Sequence, residues 1–391
     1  MAKRRKVALI YTYNENWIGG TYYIENLISA LAQLPDRQQP ELLIFSVNEA
    51  DAERLRQAVR YTHWSFHRIA PMLPLPVRAL NRLALAVLKK PLVRAAHDGG
   101  GAELIFPIQA SWRTYFRKIP HHLYWIPDFQ EYHLPEFFGA DEIERRKCEH
   151  ARTLRVARNI VFSSYEVQRD FNTFHPDNTI AQYVLQFAVT SRTTPELAAA
   201  CRARYGLTRP YFICSNQFCK HKSHPTVLHA LNQLRRTHPG AVVVFTGKNY
   251  DSRNPDYYPD LMQLQENLHL QEEAKFLGFI PREDQLTLMQ DALAVIQPSL
   301  FEGWSTSVED AKSLGVPLLV SALEVHREQL ETYEAKLFFA PKDADALARH
   351  MAAVLAGELA PTRYQYQQDI SHFAETFMKI VQDIVSKPPV A

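Results

Sequence analysis

Short apolar runs alternate with amphipathic stretches along most of this chain. In the first half, Val7 to Tyr13, Glu41 to Val47, Leu104 to Ile108, Leu123 to Ile126 and Asn159 to Ser164 are apolar runs bounded by polar turns, the pattern of strands buried on both faces. In the second half, Tyr211 to Ser215, Ala241 to Gly247, Lys275 to Ile280, Ala294 to Gln297, Leu318 to Ser321 and Leu337 to Phe339 repeat it. Between the runs, apolar residues recur at helical spacing. Ile24, Leu27, Ile28 and Leu31 form one such stripe, Val227, Leu228, Leu231 and Leu234 another, and Val308, Ala311 and Leu314 a third. Asp343 to Leu355 is amphipathic, and Tyr364 to Val385 predicts a long terminal helix. Strands alternating with helices give an α/β chain with parallel sheets. The polar stretch Val189 to Pro210, with a short helix from Pro195 to Tyr205, divides it. The predicted domains are 1–187 and 188–363, with 364–391 as a terminal helix.

A length of 391 residues suits two α/β domains of ordinary size. The net charge of +2 gives no argument for a nucleic-acid partner. Cys148, Cys201, Cys214 and Cys219 have neither metal-ligand nor C-x-x-C spacing, which predicts reduced thiols, no metal site and a cytoplasmic location. No apolar run is long enough to cross a bilayer. The basic start, Met1 to Lys6, followed by Val7 to Tyr13, imitates a signal peptide but has no small-residue cleavage site; it reads as a basic tag before strand one. Residues 69–96 mix leucines with Arg78, Arg82, Lys89, Lys90 and Arg94. Two readings stand: peripheral contact with the inner membrane face, or a domain helix with a solvated basic side.

Candidate chemistry concentrates in Val295 to Ser321. The loop after Pro298 carries Glu302, Gly303, Trp304, Ser305, Thr306 and Ser307, and a helix holding Glu309 and Asp310 follows. A hydroxyl-rich turn into a helix points free N–H groups and the positive dipole end at an anion. Carboxylates accept from sugar and ribose hydroxyls. Together they suit a nucleotide sugar; the plainer reading is a capped helix with solvated acids. Gly19-Gly20, after the first strand, allows close ligand approach, with Thr21 as the expected cap of the next helix. Gln217, Lys220, His221 and Lys222 form a basic loop between a strand and a helix, and Lys248 follows the next strand.

The text P-S-L-F-E-G-W-S-T-S-V-E-D-A-K-S-L-G-V-P resembles the signature of family 4 (group 1) retaining glycosyltransferases of the GT-B fold. The resemblance implies two Rossmann-like β/α/β domains facing an interdomain cleft, with the acceptor on the first, the donor on the second, and the terminal helix packing back on the first. It places Glu302 near the donor sugar and Asp310, where the family has Glu, on the ribose; Glu309 is the neighbouring alternative. Lys222 matches a diphosphate-binding Lys, whereas Gln217 stands where the family has Arg. Ile280 lies where the backbone holds the base. Pro127-Asp128 replaces a His-Asp pair, leaving Asp128, with Gln130 and His133, to face the cleft. The implied activity is metal-independent transfer of a hexose-type sugar from a nucleoside diphosphate to a glycan or lipid-linked acceptor in surface polysaccharide or glycoconjugate synthesis. Glu302, Lys222 and Asp128 are the expected catalytic groups, and no cofactor is expected. The alternatives are a nucleotide-sugar epimerase on the same fold and a catalytically weak nucleotide-sugar binding protein, the latter motivated by Gln217 and Pro127.

Overall fold

The computed structural model describes residues 4–15, 18–70, 96–190 and 198–388. Two parallel sheets organise them. The first contains β1 (Lys6–Ile10), β2 (Glu41–Ser46), β3 (Trp64–Arg68), β4 (Leu104–Ile108), β5 (His121–Ile126), β6 (Asn159–Phe162) and β7 (Ala181–Val184) in the order β3-β2-β1-β4-β5-β6-β7. Its longer helices are α1 (Ile18–Leu31), α2 (Ala50–Ala58), α3 (Ala140–Val156) and α4 (Tyr165–Phe174). The second contains β8 (Tyr211–Ser215), β9 (Val242–Thr246), β10 (Ala274–Gly278), β11 (Val295–Gln297), β12 (Leu318–Ser321) and β13 (Lys336–Phe339) in the order β10-β9-β8-β11-β12-β13. After α5 (Ala198–Arg204), its helices are α6 (His224–Leu234), α7 (Tyr257–Asn267), α8 (Arg282–Asp291), α9 (Thr306–Leu314), α10 (Glu324–Gln329) and α11 (Ala344–Leu355). Both units are Rossmann-like, and they face each other as in the GT-B fold.

Every residue of β8, β9, β11 and β12 is buried, which is why these strands read as continuous apolar runs. The edge strands differ. All four residues of β7 are half-buried, and β3, W-S-F-H-R, has no fully buried position. Neither presents an apolar run, so the expected strand set lacks both. Gly19 and Gly20 lie inside the first turn of α1 and do not form a preceding turn. Thr21 is therefore not a cap. Its hydroxyl donates to the Thr12 carbonyl (3.2 Å) and accepts from Asn14 N (3.1 Å), pinning the loop after β1. The basic, apolar stretch at 69–96 falls almost wholly outside the described residues.

The last helix, α12 (Gln367–Val385), packs on α1 and the first sheet. Ile370, Phe373, Phe377, Ile380, Val381 and Ile384 are buried there, with Phe373 against Tyr23 and Phe377 against Phe106. Each such side chain contributes about 1.5–3 kcal/mol relative to exposure. The chain thus crosses between the domains twice, near Val189 and near Tyr366. Away from the crossings, Glu328 of α10 accepts from the backbone N–H groups of Tyr165 (2.9 Å) and Glu166 (3.2 Å) at the start of α4. A carboxylate at a helix N-terminus is favoured by the dipole, so this bond ties one domain to the other.

Candidate active site

In a doubly wound sheet, ligands bind beyond the carboxyl ends of the strands where the strand order reverses. In the second sheet that point lies between β8 and β11. The loop after β8 carries Lys222, and the loop after β11 carries Glu302. The two are fixed together, since Leu300 N donates to the His221 carbonyl at 2.7 Å. Between the domains opens a cleft of about 570 Å³. Its wall includes Gly19, Gly20, Asp128, Gln217, Lys222, Lys248, Ile280, Gly303 and Trp304, together with Glu302, Ser305, Thr306, Ser307 and Asp310.

Two predicted site residues lie off this wall. Lys220 sits on the one-turn helix Lys220–Lys222; its tight turn sends side chains two positions apart in different directions, so Lys222 faces in and Lys220 does not. Glu309 is adjacent to Asp310 on α9, about 100° around the helix. It points into the protein, accepting from Gln329 Nε2 (2.8 Å) and the Tyr366 hydroxyl (2.5 Å) and pairing with Lys312 at 3.2 Å. His133 is also outside the wall. It pairs with Asp170 at 2.7 Å, and its ring lies 5.1 Å from that of Phe301.

At the centre of the cleft is the N-terminus of α9. Ser305 caps it, its hydroxyl accepting from Val308 N. The first-turn N–H groups of Thr306 and Ser307 have no carbonyl to meet within the helix. The start of α1 faces them: a Cβ at Gly19 would stand 3.9 Å from Thr306 Oγ1. Two helix N-termini, one from each domain, converge on the same space, and both dipoles favour an anion there. The Lys222 ammonium adds charge; it donates to Glu302 Oε1 at 2.5 Å. The same oxygen accepts from Ser299 Oγ and Gln297 Nε2, both at 2.7 Å, which fixes the carboxylate.

Gly303 shows why a glycine follows the acid. A Cβ here would lie 2.3 Å from the Pro127 carbonyl oxygen and 2.9 Å from Asp128 Cβ. The second-domain loop therefore lies flat against the first-domain loop that holds Asp128. Trp304 completes the contact, its indole N–H donating to the Phe187 carbonyl at 3.0 Å. Burial pushes the Asp128 carboxyl above the usual carboxylate range; Arg146 opposes the shift and Glu302 adds to it. Gly247 makes a similar approach, with a Cβ position 1.9 Å from the Asn216 carbonyl oxygen.

Several wall residues carry no signal in the sequence. Arg282, at the start of α8, forms two bonds to Asp310 (2.5 and 2.8 Å), and its guanidinium lies 5.0 Å from the Tyr22 ring of α1. Burial works against the Arg282 charge, and Asp310 more than offsets it. Arg253 pairs with Asp251 at 3.1 Å and reaches Gln130 of the first domain at 3.2 Å. Arg146, Asn216 and Tyr22 line the wall as well. The His221 imidazole is held neutral by burial and by nearby Lys222 and Arg253. Among the described residues no group of three His, Cys, Asp or Glu side chains is placed to hold a metal ion.

Residues 202–371 match the family described as glycosyl transferases group 1, somewhat under half of the chain. The chain is 28% identical over 134 residues to a Mycobacterium tuberculosis glycogen synthase, covering 34% of this chain and 31% of that protein. It is 32% identical over 77 residues to the Escherichia coli O-antigen chain mannosyltransferase B, covering 20% of each. The chain thus spans about a third or less of the length of these curated relatives. Among solved structures, a glycosyltransferase from Rickettsia africae superposes with a TM-score of 0.63 at 14% identity, covering 98% of both chains. Anabaena HepE in complex with UDP-glucose gives 0.63 at 16% identity, covering 97% of this chain and 95% of that one. These likenesses are of fold and agree with the two facing sheets. The match to glycosyl transferases group 1 thus covers residues 202–371, the second of the two units that face each other in a GT-B fold.

Proposed function

We propose that the protein is a retaining glycosyltransferase that moves a sugar from a nucleoside diphosphate sugar to an acceptor in surface polysaccharide or glycoconjugate synthesis. The observation that carries this reading is the meeting of two helix N-termini, α1 and α9, across a cleft that also holds Lys222 and two acids, Glu302 and Asp310. An anion in the middle with hydroxyls at either side matches that array. Domain 1–187 takes the acceptor, domain 188–363 takes the donor, and the helix within 364–391 ties them together.

In this reading the diphosphate lies at Thr306 and Ser307, with Lys222 beside it. Glu302 holds the sugar, Asp310 the ribose, and the backbone at Ile280 the base. Transfer breaks the bond from the anomeric carbon to the diphosphate oxygen and forms one to the acceptor oxygen; the acceptor proton passes to the departing phosphate. Fixed dipoles and a cation aimed at the developing charge lower the barrier without rearranging during the reaction. Asp128, whose burial favours its protonated form, stands on the first-domain side, where it meets the sugar hydroxyls. With these dipoles and cations in place, the diphosphate requires no cofactor to offset its charge. HepE is described in complex with UDP and with UDP-glucose, and the mannosyltransferase relative by its O-antigen chain; both support a nucleotide-sugar donor and a glycan product. A glycan on a lipid carrier, reached from the cytoplasmic face, fits the basic, apolar composition of 69–96. Among the described residues no helix is long and apolar enough to cross a membrane.

The test is a thermal-shift panel of nucleoside diphosphates and their sugars in metal-free buffer, followed by transfer assays with the sugar that binds. Saturating specific binding raises the midpoint by mass action. A shift confined to one base, larger with one sugar, and an axial or equatorial product bond matching the donor are the expected results. No shift with any nucleotide would remove the transferase reading. Binding without transfer to any glycan acceptor would leave a nucleotide-sugar binding protein.

A further inference from the structure

Two ion pairs flank the N-terminus of α9. On one side Lys222 meets Glu302 at 2.5 Å. On the other, Arg282 grips Asp310 with two bonds of 2.5 and 2.8 Å. Both acids belong to one loop–helix unit, and each cation comes from a different element, the loop after β8 or the start of α8. Arg282 is fixed further by Gln285 Oε1 at 3.3 Å. Along the chain, the first-turn residues Thr306 and Ser307 fall between the two acids, and all six groups line the same cleft.

A buried ion pair adds little stability by itself, because desolvation offsets much of the attraction. Its presence in a cleft leaves both members ready for other partners of matching charge and hydrogen-bonding type. Resting on the nucleoside diphosphate sugar reading above, we propose that Arg282 is a donor-binding residue: its guanidinium exchanges Asp310 for the diphosphate while Asp310 accepts from the ribose hydroxyls. Lys222 and Glu302 part in the same way at the sugar end. A planar guanidinium presents two parallel N–H groups, which suits a phosphate as well as a carboxylate.

This exchange sets a requirement on the ligand. Inorganic diphosphate would take the cations and leave Asp310 and the largely buried Glu302 without a counter-charge. A nucleoside would take an acid and leave a cation unpaired. An uncompensated buried charge is costly. A ligand gains fully only when an anion and a diol arrive together, so the two parts bind with strong non-additivity. Arg282 is thereby a specificity determinant for the diphosphate next to a ribose.

Calorimetry and ligand-observed NMR on the full chain test this, using the ribonucleoside diphosphate selected by the panel and the matching nucleoside. Arg282→Gln is expected to weaken the diphosphate by roughly ten- to hundredfold, the scale of a lost charged hydrogen bond. It should leave the nucleoside unchanged or tighter, since Asp310 is released. An equal loss for both ligands would show that Arg282 only positions Asp310, and an unchanged diphosphate affinity would show no contact; either overturns the proposal while the donor reading stands. Absence of nucleotide binding by the unaltered protein would remove both. If the Gln variant fails to fold, Arg282→Lys keeps a cation beside Asp310 but lacks the planar fork. It should lower diphosphate affinity and spare the nucleoside, and equal loss of both again overturns the proposal.

Discussion

The Tyr366 hydroxyl donates to Glu309 Oε2 at 2.5 Å and accepts from the backbone N–H of Val189 at 2.8 Å. One oxygen thus joins both passages of the chain between the domains to the helix whose first turn faces the cleft. Tyr366→Phe removes it and leaves a buried carboxylate and a buried N–H short of a partner. The expected loss is about 1–3 kcal/mol of stability, read from the urea midpoint. An unchanged midpoint would mean that this joint carries no strain and no load.

Glu309 and Asp310 are sequence neighbours with different surroundings, one inside the protein and one on the cleft wall, and alanine at each tells them apart. Glu309→Ala should lower the unfolding midpoint and leave donor affinity nearly intact. Asp310→Ala should weaken donor binding. The reverse pattern would hand the ribose to Glu309 and contradict the orientation of α9.

Lys222→Ala should lower turnover by about 10²–10³, the usual effect of removing one preorganised group that stabilises developing charge. The steady-state rate with saturating donor measures this. Wild-type turnover in the variant would take Lys222 out of the mechanism.

Glu166 gives a pH prediction. Burial, with Asp170 next in importance, pushes its carboxyl up to about 6 from an ordinary 4.5, against Arg169 and a Val325 N–H, with Glu324 adding to the rise. The folded chain therefore holds this proton where the unfolded chain has released it. The stability it contributes is complete below pH 4.5 and is lost as pH rises through about 6. Glu166→Gln should match the parent protein below that window and gain on it above. Melting curves at a series of pH values measure the difference; a constant offset across the series would show that Glu166 is ionised normally in the folded state.

The two-sheet architecture was legible because strands such as β8, β9 and β12 are buried on both faces and have no polar residues to interrupt the run. β3 and β7 were not, because an edge strand buries less and W-S-F-H-R or A-Q-Y-V leaves no contiguous apolar signal. The loop from Glu302 to Ser307 was legible as a capped turn with acids beside it; its own residues left a plain capped helix open as the alternative, and only the resemblance of the surrounding text favoured a site. Arg282 was not legible. Its place depends on Asp310, distant in sequence, and a lone Arg at the start of a helix gives no sign of what it will meet. The different surroundings of Glu309 and Asp310 had the same cause: the partners that Glu309 meets, Tyr366 and Gln329, come from other parts of the chain.

Gly303→Ala should act on both domains at once. The added methyl would stand 2.3 Å from the Pro127 carbonyl oxygen, within backbone that has little freedom to retreat. An overpacking cost of about 1–3 kcal/mol is expected in the unfolding midpoint, with a fall in transfer rate as the loops are forced apart. A variant with unaltered stability and rate would show that the two loops separate freely.

That contact also limits how such a chain can be recombined. A first unit joined to a new second unit inherits half of the junction, and a loop with a different carbonyl position opposite Gly303 would leave a gap or a collision. Hybrids built by exchanging domains should work when Pro127-Asp128 travels with its partner loop at Gly303-Trp304, and fail when the exchange splits them. Variation in the first unit would then be tolerated more readily as change within it than as replacement of it.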